Sequence, residues 1–185
     1  MQQLIGGNTG KTLLVDLSRD KIITEPTNEE FAATYIGGSG YACRLALDHL
    51  TASTEPLGPE NVLIFATGPL VGTAAPNMGR HVVCARSPLT RLWGESSSGG
   101  IFGAKMKFAG FDAVVVKGRA AKPTYISVKD GKAELRNAKQ LMGEDTQSTQ
   151  ALIKEELNDR TASVSCIGKG GENLVKYAAI MNDWN

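Results

Sequence analysis

Glycine constrains this chain more than any other feature. There are 21 glycines in 185 residues, about 11% against a usual ~7%. They are clustered at Gly6-Gly7, at Gly37-Gly38 with Gly40, from Gly68 to Gly79, from Gly94 to Gly103, and from Gly168 to Gly171. Clustered glycine means tight turns, or backbone brought close to another body. Two readings follow: turns in a strand-rich protein, or a main-chain cradle for an anionic or flat cofactor.

Between the clusters lie short apolar runs. Residues 11–17 and 22–24 read as two strands around a turn at 18–21. Thr27 with Glu30 predicts a capping box opening a helix over 28–35, and a second helix follows over 41–50. Residues 62–66, 81–86 and 113–116 read as buried strands. Residues 96–100 read as a Ser/Gly turn leading into a helix over 101–108. Asp130-Gly131 between 125–128 and 133–135 is a hairpin signal. A polar amphipathic helix is predicted over 146–157, a strand over 162–167, and a strand or helix over 174–181. Roughly eight to ten strands and four helices, often joined by short turns, favour an α+β fold.

The length allows a single domain with a sizeable core. Twenty Lys+Arg against 19 Asp+Glu give a net charge of +1, which argues against a nucleic-acid binder. No apolar stretch approaches the roughly 20 residues of a membrane span, and the N-terminus lacks the pattern of a signal peptide. The expected compartment is the cytoplasm. Cys43, Cys84 and Cys166 are far apart and form no C-x-x-C pair, so no residue is assigned as a metal ligand. Cys84 and Cys166 lie in apolar runs and are expected to be buried thiols.

Two glycine motifs resemble nucleotide loops and fail on context. Gly6 to Thr12 lacks the first P-loop glycine, because Ile5 stands there, and is followed by strand instead of helix. Gly38-Ser39-Gly40 follows a helix, and Cys43 occupies the place of the third glycine. No catalytic Ser/His/Asp or Cys/His set stands out. His49 is expected at the surface and His81 is expected to be structural.

Residues 80–122 carry eight basic and two acidic residues. Within them, Glu95 to Gly100 combines three serines with glycines ahead of a helix, which is the chemistry of an anion site. Upstream, residues 68–80 form a long small-residue loop ending in Arg80. From residue chemistry alone, an anion site and a pair of surface loops remain equally open.

Residues 63–73, Ala75-Pro76, Gly79-Arg80, 87–90, Ser98 to Gly100, Phe102-Gly103, 107–110, 171–175 and 178–183 together are similar to the N-terminal domain of tungsten-containing aldehyde:ferredoxin oxidoreductases. The similarity is collinear over essentially the whole chain. It implies an α+β domain of two packed β-sheets with a few short helices. The domain would span residues 1–185, be incomplete at its C-terminus, and form the base for a tungsten (or molybdenum) bis-pterin whose phosphates are bridged by magnesium. Arg80 aligns with the arginine that contacts the pterin, and Ser97, Ser98 and Gly99 with the turn that lines it. The family often has asparagine where Ser97 stands, so the side-chain donor here is a hydroxyl.

Family members are about three times longer, beyond the single-domain range. The cysteines of the family's [4Fe–4S] cluster and its acid/base residues lie beyond Asn185, so no catalytic residue is assigned in this chain. The implied reaction of the full-length enzyme is aldehyde oxidation to a carboxylic acid with ferredoxin as electron acceptor. The implied partners are aldehyde and ferredoxin, with a homo-oligomer allowed and neither nucleic acid nor membrane expected. The alternatives are a fragment of an aromatic-ring (aroyl-CoA) reductase and a non-catalytic truncated scaffold domain.

Overall fold

In the computed structural model, which describes residues 6–183, the first hairpin is β1 (Lys11–Asp16) with β2 (Lys21–Pro26). Helices α1 (Glu29–Tyr35) and α2 (Ser39–Leu47) follow. The α1 cap is Asn28, whose side chain accepts from the Phe31 amide at 2.7 Å. The expected cap, Thr27, instead meets Thr12 Oγ1 at 3.1 Å and joins the hairpin to the helix. Next come β3 (Val62–Thr67), β4 (His81–Arg86) and β5 (Trp93–Ser98). After α3 (Phe102–Phe108), strand β6 (Ala113–Lys117) returns to the sheet.

These six strands form one sheet in the order β2-β1-β6-β3-β4-β5. Only the β1–β6 pairing is parallel. Side chains alternate across the sheet because the strand period is two. Ile64, Ala66, Cys84, Ala113 and Val115 face α1 and α2, and pack with Tyr41, Ala42 and Ala46. Leu13, Val15 and Val114 face the opposite way, with Met106 of α3 and Phe111. Burial on both faces explains why 62–66 and 113–116 read as continuous apolar runs.

A second, two-stranded sheet packs on that opposite face. It is the hairpin of β7 (Thr124–Lys129) and β8 (Lys132–Asn137), which contributes Ile126, Val128, Ala133 and Leu135. Its turn has φ 50° at Asp130 and φ 76° at Gly131, the primed geometry the sequence signals. The fold is therefore α+β with two packed sheets of unequal size. A third core joins α4 (Thr146–Glu156) to the two-residue strand β9 (Ser165–Cys166). A short helix α5 (Lys169–Glu172) leads to β10 (Met181–Asn182), which pairs with β9.

Three expectations are corrected. Residues 96–98 are not a turn: Ser96, Ser97 and Ser98 pair with Val83, Val82 and His81. Serine does not announce a strand, but β4 offers it a full row of backbone partners. The strand expected over 162–167 is confined to Ser165–Cys166. Residues 174–180 are neither strand nor helix. Leu174 adopts φ 57°, and Leu174, Val175 and Tyr177 are exposed, so no packed face supports a regular element there.

Candidate functional site

Strand register gathers the glycine loops at one end of the large sheet. Thr67 of β3 pairs with His81 of β4, and His81 pairs with Ser98 of β5. One step beyond these pairs, the three adjacent strands continue as Gly68, Arg80 and Gly99. The Gly38 amide donates to Thr67 O at 2.9 Å. Gly7, with φ 86°, lies so close to Pro69 that a Cβ there would sit 2.0 Å from its carbonyl oxygen. A Cβ on Gly79 would sit 2.9 Å from Gly100 O. The clusters at 6–10, 37–40, 68–79 and 99–103 thus form one rim.

Among the rim glycines, Gly68 and Gly99 have no explanation within the described residues. Gly68 and Gly99 lack positive φ, and a Cβ on either would meet nothing within 4 Å. Neither strain nor crowding requires glycine there. What their absent side chains leave is open backbone beside the exposed Arg80.

The structure brings Arg80 and Ser97 together: the guanidinium donates to Ser97 Oγ at 3.4 Å. Ser98 turns the other way and donates to Asn182 Oδ1 at 2.7 Å. The expected anion site of three hydroxyls ahead of a helix is therefore not what forms. The serines are strand residues, and the Ile101 amide ahead of α3 donates to Asp183 Oδ2 at 3.2 Å.

The basic surplus of 80–122 is likewise not one patch. Arg86 donates to the carbonyls of Thr51, Ala52, Thr54 and Arg91. Arg91 pairs with Glu55, and Lys117 lies 3.9 Å from Asp16. These residues sit at the opposite end of the sheet. Arg80 is the basic residue at the rim with no carboxylate ion pair among the described residues.

Beneath the rim lies a buried ion pair that the sequence reading missed. Lys107 Nζ donates to Asp112 Oδ1 at 2.6 Å, with side-chain exposures of 5% and 0%. Asp112 also accepts from the amides of Thr9 at 2.9 Å and Gly10 at 2.7 Å. Lys107 donates in addition to Gly7 O at 2.5 Å. The amides of the P-loop lookalike are thus occupied by the protein's own carboxylate, and Lys11 begins a strand. A lone carboxylate between Phe111 and Ala113 was the available signal, since a buried charge requires partners. Burial, followed by the charge of Asp112, pushes the nearby Tyr41 hydroxyl up to about 12, so it stays protonated.

His81 is 1% exposed. Its ring lies 5.1 Å from Phe102 and 6.5 Å from Phe65, and neither ring nitrogen has a partner among the described residues. Burial lowers its pKa, and Asp183 opposes that shift, so the neutral imidazole is favoured. His49 is half-buried, contrary to its expected surface position. Cys84 is buried and free, its thiol pushed up to about 12 by burial first and by Glu95 next. Cys166 is half-buried and Cys43 exposed. Among the described residues, no group of three or more His, Cys, Asp or Glu could hold a metal ion, and no helix is long and apolar enough to cross a membrane. What the rim offers is a cationic fork, a hydroxyl and open backbone, which suits a flat ligand rich in oxygen.

A family model of the aldehyde ferredoxin oxidoreductase N-terminal domain matches residues 12–185. The chain is 46% identical over 177 residues to the tungsten-containing aldehyde ferredoxin oxidoreductase of Pyrococcus furiosus, covering 96% of this chain and 29% of that protein. The same figures hold for the enzyme of that name from Thermococcus kodakarensis. The WOR-like subunit of an aliphatic sulfonate oxidoreductase from Pyrococcus furiosus is 30% identical over 187 residues, covering 93% of this chain and 30% of that protein. A chain of the active site complex BamBC of benzoyl coenzyme A reductase, solved with 1,5-dienoyl-CoA, superposes with a TM-score of 0.94 at 37% identity. That match covers 97% of this chain and 27% of the other. The chain thus spans under a third of the length of these relatives.

Proposed function

The chain belongs to the aldehyde ferredoxin oxidoreductase family, as its N-terminal domain, and on that premise we propose that residues 1–185 are the cofactor-binding base of a cytoplasmic enzyme. That enzyme oxidises aldehydes to carboxylic acids and passes the electrons to ferredoxin. The group the rim would hold, through Arg80, Ser97 and the backbone at Gly68 and Gly99, is a tungsten bis-pterin with magnesium. A [4Fe–4S] cluster belongs to residues outside this chain.

One observation carries the reading. Gly68, Arg80 and Gly99 continue three adjacent strands past their last pairs, and two of them are glycines the chain's own packing does not require. The residues fit such a group. When bound, the metal and its pterins supply the redox chemistry. Arg80 offers a planar, permanently charged fork to anionic or carbonyl oxygen. Ser97 offers a hydroxyl, and Gly68 and Gly99 let a flat ring system approach the backbone. The Lys107–Asp112 pair holds residues 7–10 beneath, so that part of the rim is in place before the ligand arrives and costs no reordering on binding.

The test is metal and pterin content of the full-length protein. Arg80→Ala should lower both, together with aldehyde turnover, far more than Lys122→Ala. A charge-assisted bond is worth about 1.5–3 kcal/mol, whereas the exposed Lys122 contributes little. Equal, small losses would refute this placement of the ligand. Protein with neither tungsten nor molybdenum would favour a non-catalytic scaffold.

The structural match to the benzoyl coenzyme A reductase complex supports a second reading, reduction of an aromatic thioester. Turnover of short aldehydes against aromatic thioesters separates the two.

A further inference from the structure

The 98–101 turn at the rim is held from its inner side by residues more than 80 positions away in sequence. The Asn182 side chain is buried, with 2% exposure. Its Oδ1 accepts from Ser98 Oγ at 2.7 Å and its Nδ2 donates to Gly99 O at 3.1 Å. Asp183 continues the clasp: Oδ2 accepts from the Ile101 amide at 3.2 Å, and Oδ1 accepts from Ser163 Oγ. Each polar atom of these two side chains thus has a partner, and three of the four bonds end on the turn. The β9–β10 ladder that presents them is only two residue pairs long, and these bonds link it to the end of β5 and the start of α3. On the other side of the turn, Arg80 and Ser97 are exposed, and their side chains meet each other at 3.4 Å.

We propose that Asn182 and Asp183 are positioning residues for the rim. They saturate the inner polar groups of the 98–101 turn and so keep Ser97 Oγ, the Gly99 backbone and Arg80 presented to the ligand. The proposal rests on the reading of the rim as a cofactor base. A buried amide that spans Ser98 and Gly99 at once fixes both the direction of the strand end and the plane of the next peptide. An apolar side chain there would leave a hydroxyl and a carbonyl without partners.

The experiment uses full-length protein. Asn182→Ala and Asp183→Ala should each lower tungsten content per protomer by about tenfold, the equivalent of one buried hydrogen bond at its upper range. In protein stripped of metal, amide exchange at Gly99 to Phe102 should quicken by about tenfold, while β3 and β6 keep wild-type protection. Asp183→Asn retains an acceptor for the Ile101 amide and should restore both readouts, which a general packing defect would not allow. If the alanine variants fail to accumulate, Asn182→Asp and Ser98→Ala carry the same measurements, since each removes one bond of the clasp at nearly constant volume. Exchange at wild-type rates, or fast exchange with full tungsten content, overturns the proposal. Tungsten present in wild type, lost in Arg80→Ala and kept in the clasp variants overturns the positioning role alone. Wild-type protein without tungsten overturns the cofactor reading, and the positioning role with it.

Discussion

Removing the charge of Asp112 should destabilise the protein more than any substitution at the exposed rim. Asp112→Asn keeps the shape but turns one carboxylate oxygen into a donor. That donor would face one of three groups that need an acceptor: the Thr9 amide, the Gly10 amide or Lys107 Nζ. Lys107 would remain 5% exposed with Gly7 O as its remaining hydrogen-bond acceptor. Breaking a buried ion pair from one side costs about 3–5 kcal/mol. At about 2–4 °C per kcal/mol for a chain of this size, the melting temperature falls by about 6–20 °C. Lys107→Met should cost less, about 1–3 kcal/mol, because Asp112 would keep two backbone amides. The double variant should be less damaging than the sum, with a coupling of about 2 kcal/mol. Scanning calorimetry of wild type, both single variants and the double variant measures all of this. Asp112→Asn within about 1 kcal/mol of wild type, or simple additivity, would refute the view that the pair anchors residues 7–10.

Gly99→Ala should leave stability within about 0.5 kcal/mol of wild type, since a Cβ there meets nothing within 4 Å. The same variant should lower tungsten content of the full-length protein; unchanged content would mean that nothing approaches this backbone. Lys11→Ala should leave Mg-ATP binding undetectable by calorimetry, as in wild type, because the amides of Thr9 and Gly10 are held by Asp112. Burial depresses the pKa of His81, so the unfolded chain binds the proton more readily than the folded one. Stability should then be flat above about pH 7 and fall as pH drops through the unfolded value of about 6.5, by at most ~1.4 kcal/mol per unit for this group. Urea denaturation between pH 5.5 and 7.5 tests this, and His81→Phe should flatten most of the slope; an unchanged slope would exclude His81 as its source.

The doubly covered strands were legible in the sequence because their apolar runs have no polar face, as at 62–66 and 113–116. The Asp130-Gly131 turn was legible because its backbone geometry selects those residues. Strand β5 was not, since nothing in Trp93-Gly94-Glu95-Ser96-Ser97-Ser98 alternates and its pairing is supplied by β4. The cap moved from Thr27 to Asn28 because Thr12 claims the threonine hydroxyl. At the candidate site, Arg80, Ser97 and Gly99 stood out from the resemblance, and the structure brings all three to the rim. Gly68 was visible only as one glycine in a loop; register makes it a neighbour of Arg80. Asp112 carried a local signal, a lone carboxylate in an apolar run, but the partners of Asn182 and Asp183 at the rim lie more than 80 positions away and were beyond local reasoning.

The position of β6 between β1 and β3 has a consequence for synthesis. The β1–β2 hairpin and the β3–β4–β5 meander leave the ribosome as separate pieces, each with an open edge where β6 belongs. A two-stranded hairpin is marginal by itself, and open edges invite pairing with other chains. Asp112 follows Thr9 by 103 positions. At about 5–20 residues per second, the gap between them lasts about 5–20 s. Through that interval residues 7–10 lack the carboxylate that holds them at the rim. The last insertion of one five-residue strand both closes the sheet and draws the N-terminal loop to its place. Nascent chains halted just before residue 111 should therefore be cleaved readily by protease in β1 and β3. Chains in which residue 117 has cleared the ribosome exit should resist it.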